Sequence, residues 1–372
     1  MKRISISVLI LGACFVPVAW SQSAGWSEFH RPAMDRWNPY EKVLNVSNVG
    51  KLSLKWRYAA GSGVMSSPAV VNGVVYVGSL APNNTVYALN ATTGAKLWAF
   101  VTESAVESSP AVANGVVYAG SEDGKLYALN ATTGAKLWTY TGLRLANSSP
   151  AVANGKVYVG SYDSHVYALN ARTGAKLWNF ATGANGVFSS PALGDGRVYV
   201  GSDDGKVYAL SATTGRKLWS YSTGNAVKSS PAVANGMVYV GSYDRDVYAL
   251  NASTGAKVWS FITGHYVYSS PAIANGVVYV GSDDGSVYAL SAKTGAKLWS
   301  YATGNYVYSS PAVANGVVYV GSLDNNLYAL NAQTGHKLWS YATGWVWSSP
   351  VVVNGVLYFG SLDNNVYAFG LK

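Results

Sequence analysis

From residue 66 onward the chain repeats one pattern of apolar and polar positions. Residues 309–341 show it in full. "SSPAVA" is a short apolar run, and Asn315-Gly316 follows it. "VVYVGS" alternates apolar and aromatic residues, "LDNN" is a polar break, "LYALNA" alternates again, "QTG" is a second break, and "KLWSYA" closes the unit. Alternation with a period of two predicts strands, here labelled A to D in order. Asn-Gly predicts a type I′ hairpin between A and B, because that turn needs positive φ at both central residues. Gly335 supplies the left-handed position of the C–D turn. No stretch of the repeat has a helical period.

The proline of "SSP" recurs at 68, 110, 150, 191, 231, 271, 311 and 350, in steps of 39 to 42 residues. Four strands in about 40 residues is the signature of a propeller blade. The count of ends is informative. The last unit stops after strand C, "NNVYAFGLK", with no strand D, while a spare D-like strand, "KLSLKWRYAA", lies at residues 51–60. The expected fold is therefore all-β: an eight-bladed propeller of four-stranded antiparallel blades, with residues 51–60 completing the last blade. Closure of this kind removes two exposed sheet edges.

Each D strand carries one tryptophan: Trp56, Trp98, Trp138, Trp178, Trp219, Trp259, Trp299 and Trp339. Rings of that size are expected to dock between neighbouring blades. The stretch "ALNATTGAKLW" (88–98) and its copies resemble the tryptophan-docking motif A-x-D/N-x-x-T-G-x-x-x-W of pyrroloquinoline quinone (PQQ) type propeller repeats. The resemblance covers residues 51–370, and the segment 25–56 also looks like the lead-in of exported members. It implies an eight-bladed ring. It also implies a choice, since the family holds quinone-dependent alcohol and glucose dehydrogenases and the non-enzymatic outer-membrane assembly lipoprotein.

The N-terminus reads as an export signal at 1–23: Lys2 and Arg3, an apolar run from Ile4 to Trp20, then small residues. That run holds Pro17 and is about 17 residues long, marginal for a membrane span. Cys14, the only cysteine, stands in "LGAC", a passable lipoprotein cleavage site; otherwise cleavage falls near Ser21 or Ser23. The domain plan is thus signal 1–23, lead-in segment 24–50 and propeller 51–372. The expected location is the periplasm or outside the cell, without a transmembrane span in the mature chain. Composition fits: 49% hydrophobic and 12% charged, with 40 glycines. The formal charge is +9, but the lysines recur one per repeat and form no cluster, which argues against nucleic acid.

The repeats also locate the working face. A–B and C–D turns share one face and hardly vary. B–C turns and D-to-A links share the other and vary widely. Three residues before each SSP proline stand Met65, Glu107, Asn147, Phe188, Lys228, Tyr268, Tyr308 and Trp347. Two residues earlier stand Gly63, Ala105, Leu145, Gly186, Ala226, Tyr266, Tyr306 and Trp345, and the position between is valine in all units but one. By alternation the valine packs between blades and its neighbours point to the mouth of the channel. Drift in exposed loops would give the same variation, but three consecutive blades supply an aromatic sector. The candidate binding residues are Phe188, Lys228, Tyr266, Tyr268, Tyr306, Tyr308, Trp345 and Trp347.

A PQQ dehydrogenase needs an aromatic floor, cations for the quinone carboxylates, Ca²⁺ ligands and a carboxylate base. Family enzymes add a vicinal cysteine pair and long insertions between blades. Here Trp345 or Trp347 would serve as floor, Lys228 or Arg144 as cation and Glu107 as the conspicuous acid, but there is no cysteine pair and the blades are minimal. His30, His165, His265 and His336 lack metal spacing, and the "DG" and "DN" turns read as turn formers. Lys96, Lys136, Lys176, Lys217, Lys257, Lys297 and Lys337 ring the invariant face; their stems are expected to cover the docking tryptophans. No catalytic residue, metal or cofactor is assigned. The expectation is an exported, monomeric, non-enzymatic binding or scaffolding propeller. Its partner would be an envelope protein or peptide, or a small aromatic or sugar ligand. The alternative is a PQQ-dependent dehydrogenase or PQQ-binding protein with Ca²⁺.

Overall fold

A computed structural model of the chain describes residues 25–29, 36–144, 147–183 and 185–372. The proposed signal, Cys14, His30 and Leu145 lie outside the described residues. The rest forms eight antiparallel sheets of four strands, one of them extended by a fifth strand from the lead-in. No α-helix occurs among the described residues, and none is long and apolar enough to cross a membrane. The ring closes as the strand count requires. Ser53–Ala59 pairs antiparallel with Asn365–Gly370, so the eighth blade is built from both ends of the chain.

The hairpin chemistry is explicit in the backbone. In each A–B turn the Asn and Gly both have positive φ, 50° at Asn72 and 76° at Gly73, and Asp195-Gly196 does the same in blade 4. The B–C turn carries an aspartate in its second position. In seven blades that carboxylate takes the hydroxyl proton donor of a strand-C tyrosine, as Asp204 does from Tyr208 at 2.5 Å and Asp363 from Tyr367 at 2.6 Å. These aspartates are committed to the turn.

Joints between blades follow one scheme. The indole Nε1 of a strand-D tryptophan donates to the alanine carbonyl in the next blade's C–D hairpin, from Trp98 to Ala131 and from Trp56 to Ala91, at 2.9–3.3 Å in seven joints. A strand-B tyrosine hydroxyl donates to the same carbonyl, at 3.0–3.1 Å in the same seven. The glycine of the hairpin lies flat under the indole. A Cβ on Gly94 would stand 2.7 Å from Trp56, and Gly94 has φ of 72°. This is why the motif needs Thr-Gly before its tryptophan.

The "SSP" serines close the inner wall. The first accepts the N–H of the strand-B glycine, at 2.8–3.1 Å in all eight blades. The second accepts the N–H of its counterpart in the preceding blade. The chain of bonds runs Ser67, Ser109, Ser149, Ser190, Ser230, Ser270, Ser310, Ser349 and back to Ser67, at 2.9–3.0 Å. Eight equal bonds in a closed circle tie the inner strands together, with no break where the termini meet.

The lead-in segment plugs the channel from the A–B face. Trp26 pairs with Val70 in blade 1, Ser27 O accepts from Val112 N in blade 2, and Glu28 Oε2 accepts from Val152 N in blade 3. On the far side Trp37–Asn38 runs parallel to Val313–Ala314 of blade 7, and Asn38 Nδ2 donates to Val352 O of blade 8. Inner-strand edges that would face an empty channel are thereby paired. Arg36 is fully buried and holds the plug: its guanidinium donates to the carbonyls of Phe29, Ser310, Pro311 and Pro350, and lies 4.7 Å from the Phe29 ring centroid. Burial lowers its pKa to about 9.

Candidate functional site

With one end plugged, the channel becomes a chamber open on the variable face. Phe29 lies at its floor and the serine circle forms its wall. Above the serines stand Met65, Glu107, Asn147, Phe188, Lys228, Tyr268, Tyr308 and Trp347, one from each blade. Alternation sets this. The valines between the two variable columns, such as Val64, Val106 and Val267, are fully buried, and they press on strand-B glycines of the preceding blade. A Cβ on Gly241 would stand 2.2 Å from Val267. The flanking residues are thereby turned toward the channel. The free volume inside is about 70 Å³.

The outer column forms the rim. Trp345 is 51% exposed, Tyr306 44% and Tyr266 39%. The inner rings pack on one another: Tyr308 and Trp347 at 4.6 Å between centroids, Tyr268 and Tyr308 at 5.2 Å, Tyr268 and Trp347 at 6.1 Å edge-on. Phe188 is not part of that cluster. It meets Tyr162 at 4.0 Å and takes the ammonium of Lys228 over its face at 4.1 Å. Six of the candidate residues thus form one aromatic sector, and Phe188 with Lys228 forms a second group beside it.

A third ring escaped the sequence reading. The first residue of each B–C turn is hydrogen-bonded to the links that carry the rim: Leu80, Glu122, Tyr162, Asp203, Tyr243, Asp283, Leu323 and Leu362. Its N–H donates to the outer link carbonyl, as from Asp283 to Tyr266 and from Leu362 to Trp345, at 2.8–3.1 Å in every blade. In blade 3 the accepting carbonyl belongs to Arg144. This column varies as the link columns do while the aspartate beside it is nearly constant, and that contrast was the available signal.

The turn residues give the mouth two sides. Blades 7, 8 and 1 contribute Leu323, Leu362 and Leu80 beside Tyr308, Trp347 and Met65. Blades 2 to 6 contribute Glu107 with Glu122, then Asp203 and Asp283. Burial raises Glu107 to about 7, helped by Glu122 and opposed by a hydrogen bond from Asn147. Burial raises Asp203 to about 6, with Lys228, 3.8 Å away, pulling it back. Burial raises Asp283 to about 7, with Asp284 adding to the shift. A chain of net charge +9 therefore carries partly buried carboxylates around this mouth.

The family model described as "Outer membrane protein assembly factor BamB" matches residues 82–192, 163–265 and 262–372. The chain belongs to that family. A second family model, "Glucose/ethanol/alcohol dehydrogenase, beta-propeller domain", matches residues 26–108. No curated protein matches the chain at the sequence level. Among solved structures the propeller is similar to BamB from Moraxella catarrhalis, with a TM-score of 0.74 and 23% identity over 86% of this chain and 99% of that one. It is also similar to quinohemoprotein alcohol dehydrogenase from Comamonas testosteroni, with a TM-score of 0.79 and 17% identity over 94% of this chain and 80% of that one. A computationally designed protein, Ika8, is also similar, with a TM-score of 0.74 and 21% identity over 83% of this chain and 96% of that one. At these identities the likeness is one of fold.

The dehydrogenase branch of the resemblance can be tested on this family member's own residues. A quinone with several carboxylates needs cations; the chamber offers Lys228, already engaged by Asp203 and the Phe188 face. Arg144 is exposed on the rim side. Among the described residues no group of three or more His, Cys, Asp or Glu side chains converges on a metal-sized site. A free volume of 70 Å³ is also small beside the roughly 300–1,000 Å³ of small-molecule pockets. These residues do not fit a Ca²⁺-bound tricyclic quinone.

Proposed function

We propose that the chain is an exported, non-enzymatic binding or scaffolding propeller of the BamB-type family, and that its partner engages the mouth formed by the links and B–C turns. One observation carries the reading. Residues that differ between otherwise near-identical repeats converge on a single chamber and its rim, and three of the eight rim positions are exposed aromatic residues. Exposed tyrosine and tryptophan around a polar centre favour a protein or peptide partner, with the rings as anchors. The envelope setting is supported by the signal-like residues 1–23 and by the family description of an outer membrane protein assembly factor.

Replacing Trp345 and Trp347 together by Ala tests it. Folding should survive, since Trp345 is half exposed and neither ring docks a blade. Pull-down from cell-envelope extract should lose the partner retained by the unaltered protein. A double variant that unfolds, or that keeps every partner, overturns the reading. So does turnover of alcohols or aldoses with PQQ, Ca²⁺ and an artificial acceptor at on the order of 1 s⁻¹ or faster.

A further inference from the structure

The mouth carries a bound example of what it can hold. The Lys228 ammonium lies 4.1 Å from the Phe188 ring centroid and 5.2 Å from that of Tyr243, with the Asp203 carboxylate 3.8 Å away. Two ring faces and a carboxylate around an ammonium form a cation–π site with its counter-ion. In blades 3 and 4 the first B–C turn residue faces the inner link residue of the following blade: Tyr162 faces Phe188 and Asp203 faces Lys228. Two blades further round, Asp283 holds the position of Asp203, and Tyr308 holds that of Lys228. Tyr308 and Tyr243 lie in the field of the Asp283 carboxylate, and Tyr243 stacks on Tyr266 at 4.8 Å.

Here the cation is missing. Asp283 is 6% exposed, and its Oδ1, like that of Asp203, is buried with no hydrogen-bond partner, but Asp203 has an ammonium beside its other oxygen. None of the ion pairs among the described residues includes it. An isolated carboxylate held out of water is costly, and the cost is relieved when a ligand brings the opposite charge.

We infer that the mouth takes a primary ammonium on an aliphatic stem, seated against Asp283 beside the rings of Tyr243 and Tyr308 as Lys228 is seated against Asp203. The inference rests on the mouth being a binding site. The electrostatics agree. Lys228 pulls the Asp203 pKa down, and no cation does so for Asp283. Glu107 and Glu122 add negative charge across the chamber. The net charge of +9 repels cations at long range, so selectivity for one must arise locally. The exposed rings of Tyr266, Tyr306 and Trp345 offer surface for the stem or for the chain that carries it.

Calorimetric titration of the full chain with pentalysine, its fully Nε-acetylated form and spermidine tests this. Pentalysine or spermidine should bind, the first marking a lysine side chain as the source and the second a free polyamine. The acetylated peptide should bind at least tenfold more weakly. Asp283→Asn should weaken the bound cation at least tenfold without lowering the melting temperature. Lys228→Ala empties the Asp203 cage and should add a second equivalent of spermidine, a readout that stands if Asp283→Asn fails to fold. Equal binding of the acetylated peptide, no binding of either cation, or indifference to both substitutions overturns the inference. If the envelope partner is lost with Trp345 and Trp347 but kept in Asp283→Asn, the mouth remains a binding site and the ammonium is excluded.

Discussion

Seven joints of the ring are alike and one is not. At seven, a C–D hairpin from the next blade offers one carbonyl to both a tryptophan and a tyrosine. Between blades 7 and 8 that hairpin does not exist, because strand D of blade 8 is Ser53–Ala59, from the other end of the chain. Trp339 therefore has no alanine carbonyl and packs instead on Phe369 at 5.2 Å and Tyr341 at 6.1 Å. It remains partly exposed where most of its counterparts are buried. The Tyr319 hydroxyl is buried with no partner. The lead-in fills the gap: Leu44, Val49 and Leu52 share one core with Tyr319, Phe359 and Phe369. Repeated residues build seven joints, and a unique segment has to mend the eighth.

The comparison breaks most completely if the mending strand is removed. Deleting residues 51–60 unpairs Asn365–Gly370 and takes Trp56 from Ala91 and Gly94. An exposed edge and an open joint should follow, with aggregation or a large drop in melting temperature. A truncated protein that melts like the full chain would show that the ring does not depend on this closure.

The lead-in also adds a pH dependence that the repeats lack. Glu28 is fully buried in the plug, and burial raises its pKa from 4.5 to about 7, against a hydrogen bond from Val152 N–H. The folded protein keeps a proton that the unfolded chain releases between those values. Stability from this group is complete below pH 4.5 and is lost as pH rises to about 7, by about 3 kcal/mol in all. Glu107, Asp203 and Asp283 slope the same way, but they sit at a mouth where solvent screens them. Urea unfolding at pH 5 and pH 8 should therefore show a smaller difference in Glu28→Gln than in the unaltered chain. An equal difference would place the dependence elsewhere.

The fold was legible in the sequence because its constraints repeat. Asn-Gly turns, the Thr-Gly beneath each indole and the missing last strand D each state a geometric need, and together they leave one closed arrangement. Both link columns were legible too, since strand alternation separates the buried valine from its neighbours. The serine circle was not, because identical residues offer no contrast to read. The turn residues from Leu80 to Leu362 were missed for a related reason: the aspartate beside them draws attention, yet it is the member committed to a tyrosine hydroxyl. Nothing in the lead-in's own composition announces a plug. Glu28 and Arg36 belong to no motif, and their roles follow only from the inner segments of blades 3, 7 and 8 that close around them.

The finest test of the one-joint difference removes a single oxygen. Tyr279 in blade 6 donates to Ala332 O at 3.1 Å, and Tyr319 occupies the same place in blade 7 without an acceptor. Burial raises the pKa of both, so both stay neutral phenols at working pH and the contrast is one of hydrogen bonding alone. Tyr279→Phe gives up a made bond and leaves a carbonyl with one donor fewer, so it should cost about 1 kcal/mol. Tyr319→Phe removes a donor that burial has already cut off from water, so it should cost nothing or stabilise slightly. The two rings keep their packing in both variants, which makes the difference between their urea midpoints a direct reading of the hydroxyl. Equal losses would mean that the seam satisfies Tyr319 in solution and that the eighth joint is mended more fully than its geometry indicates.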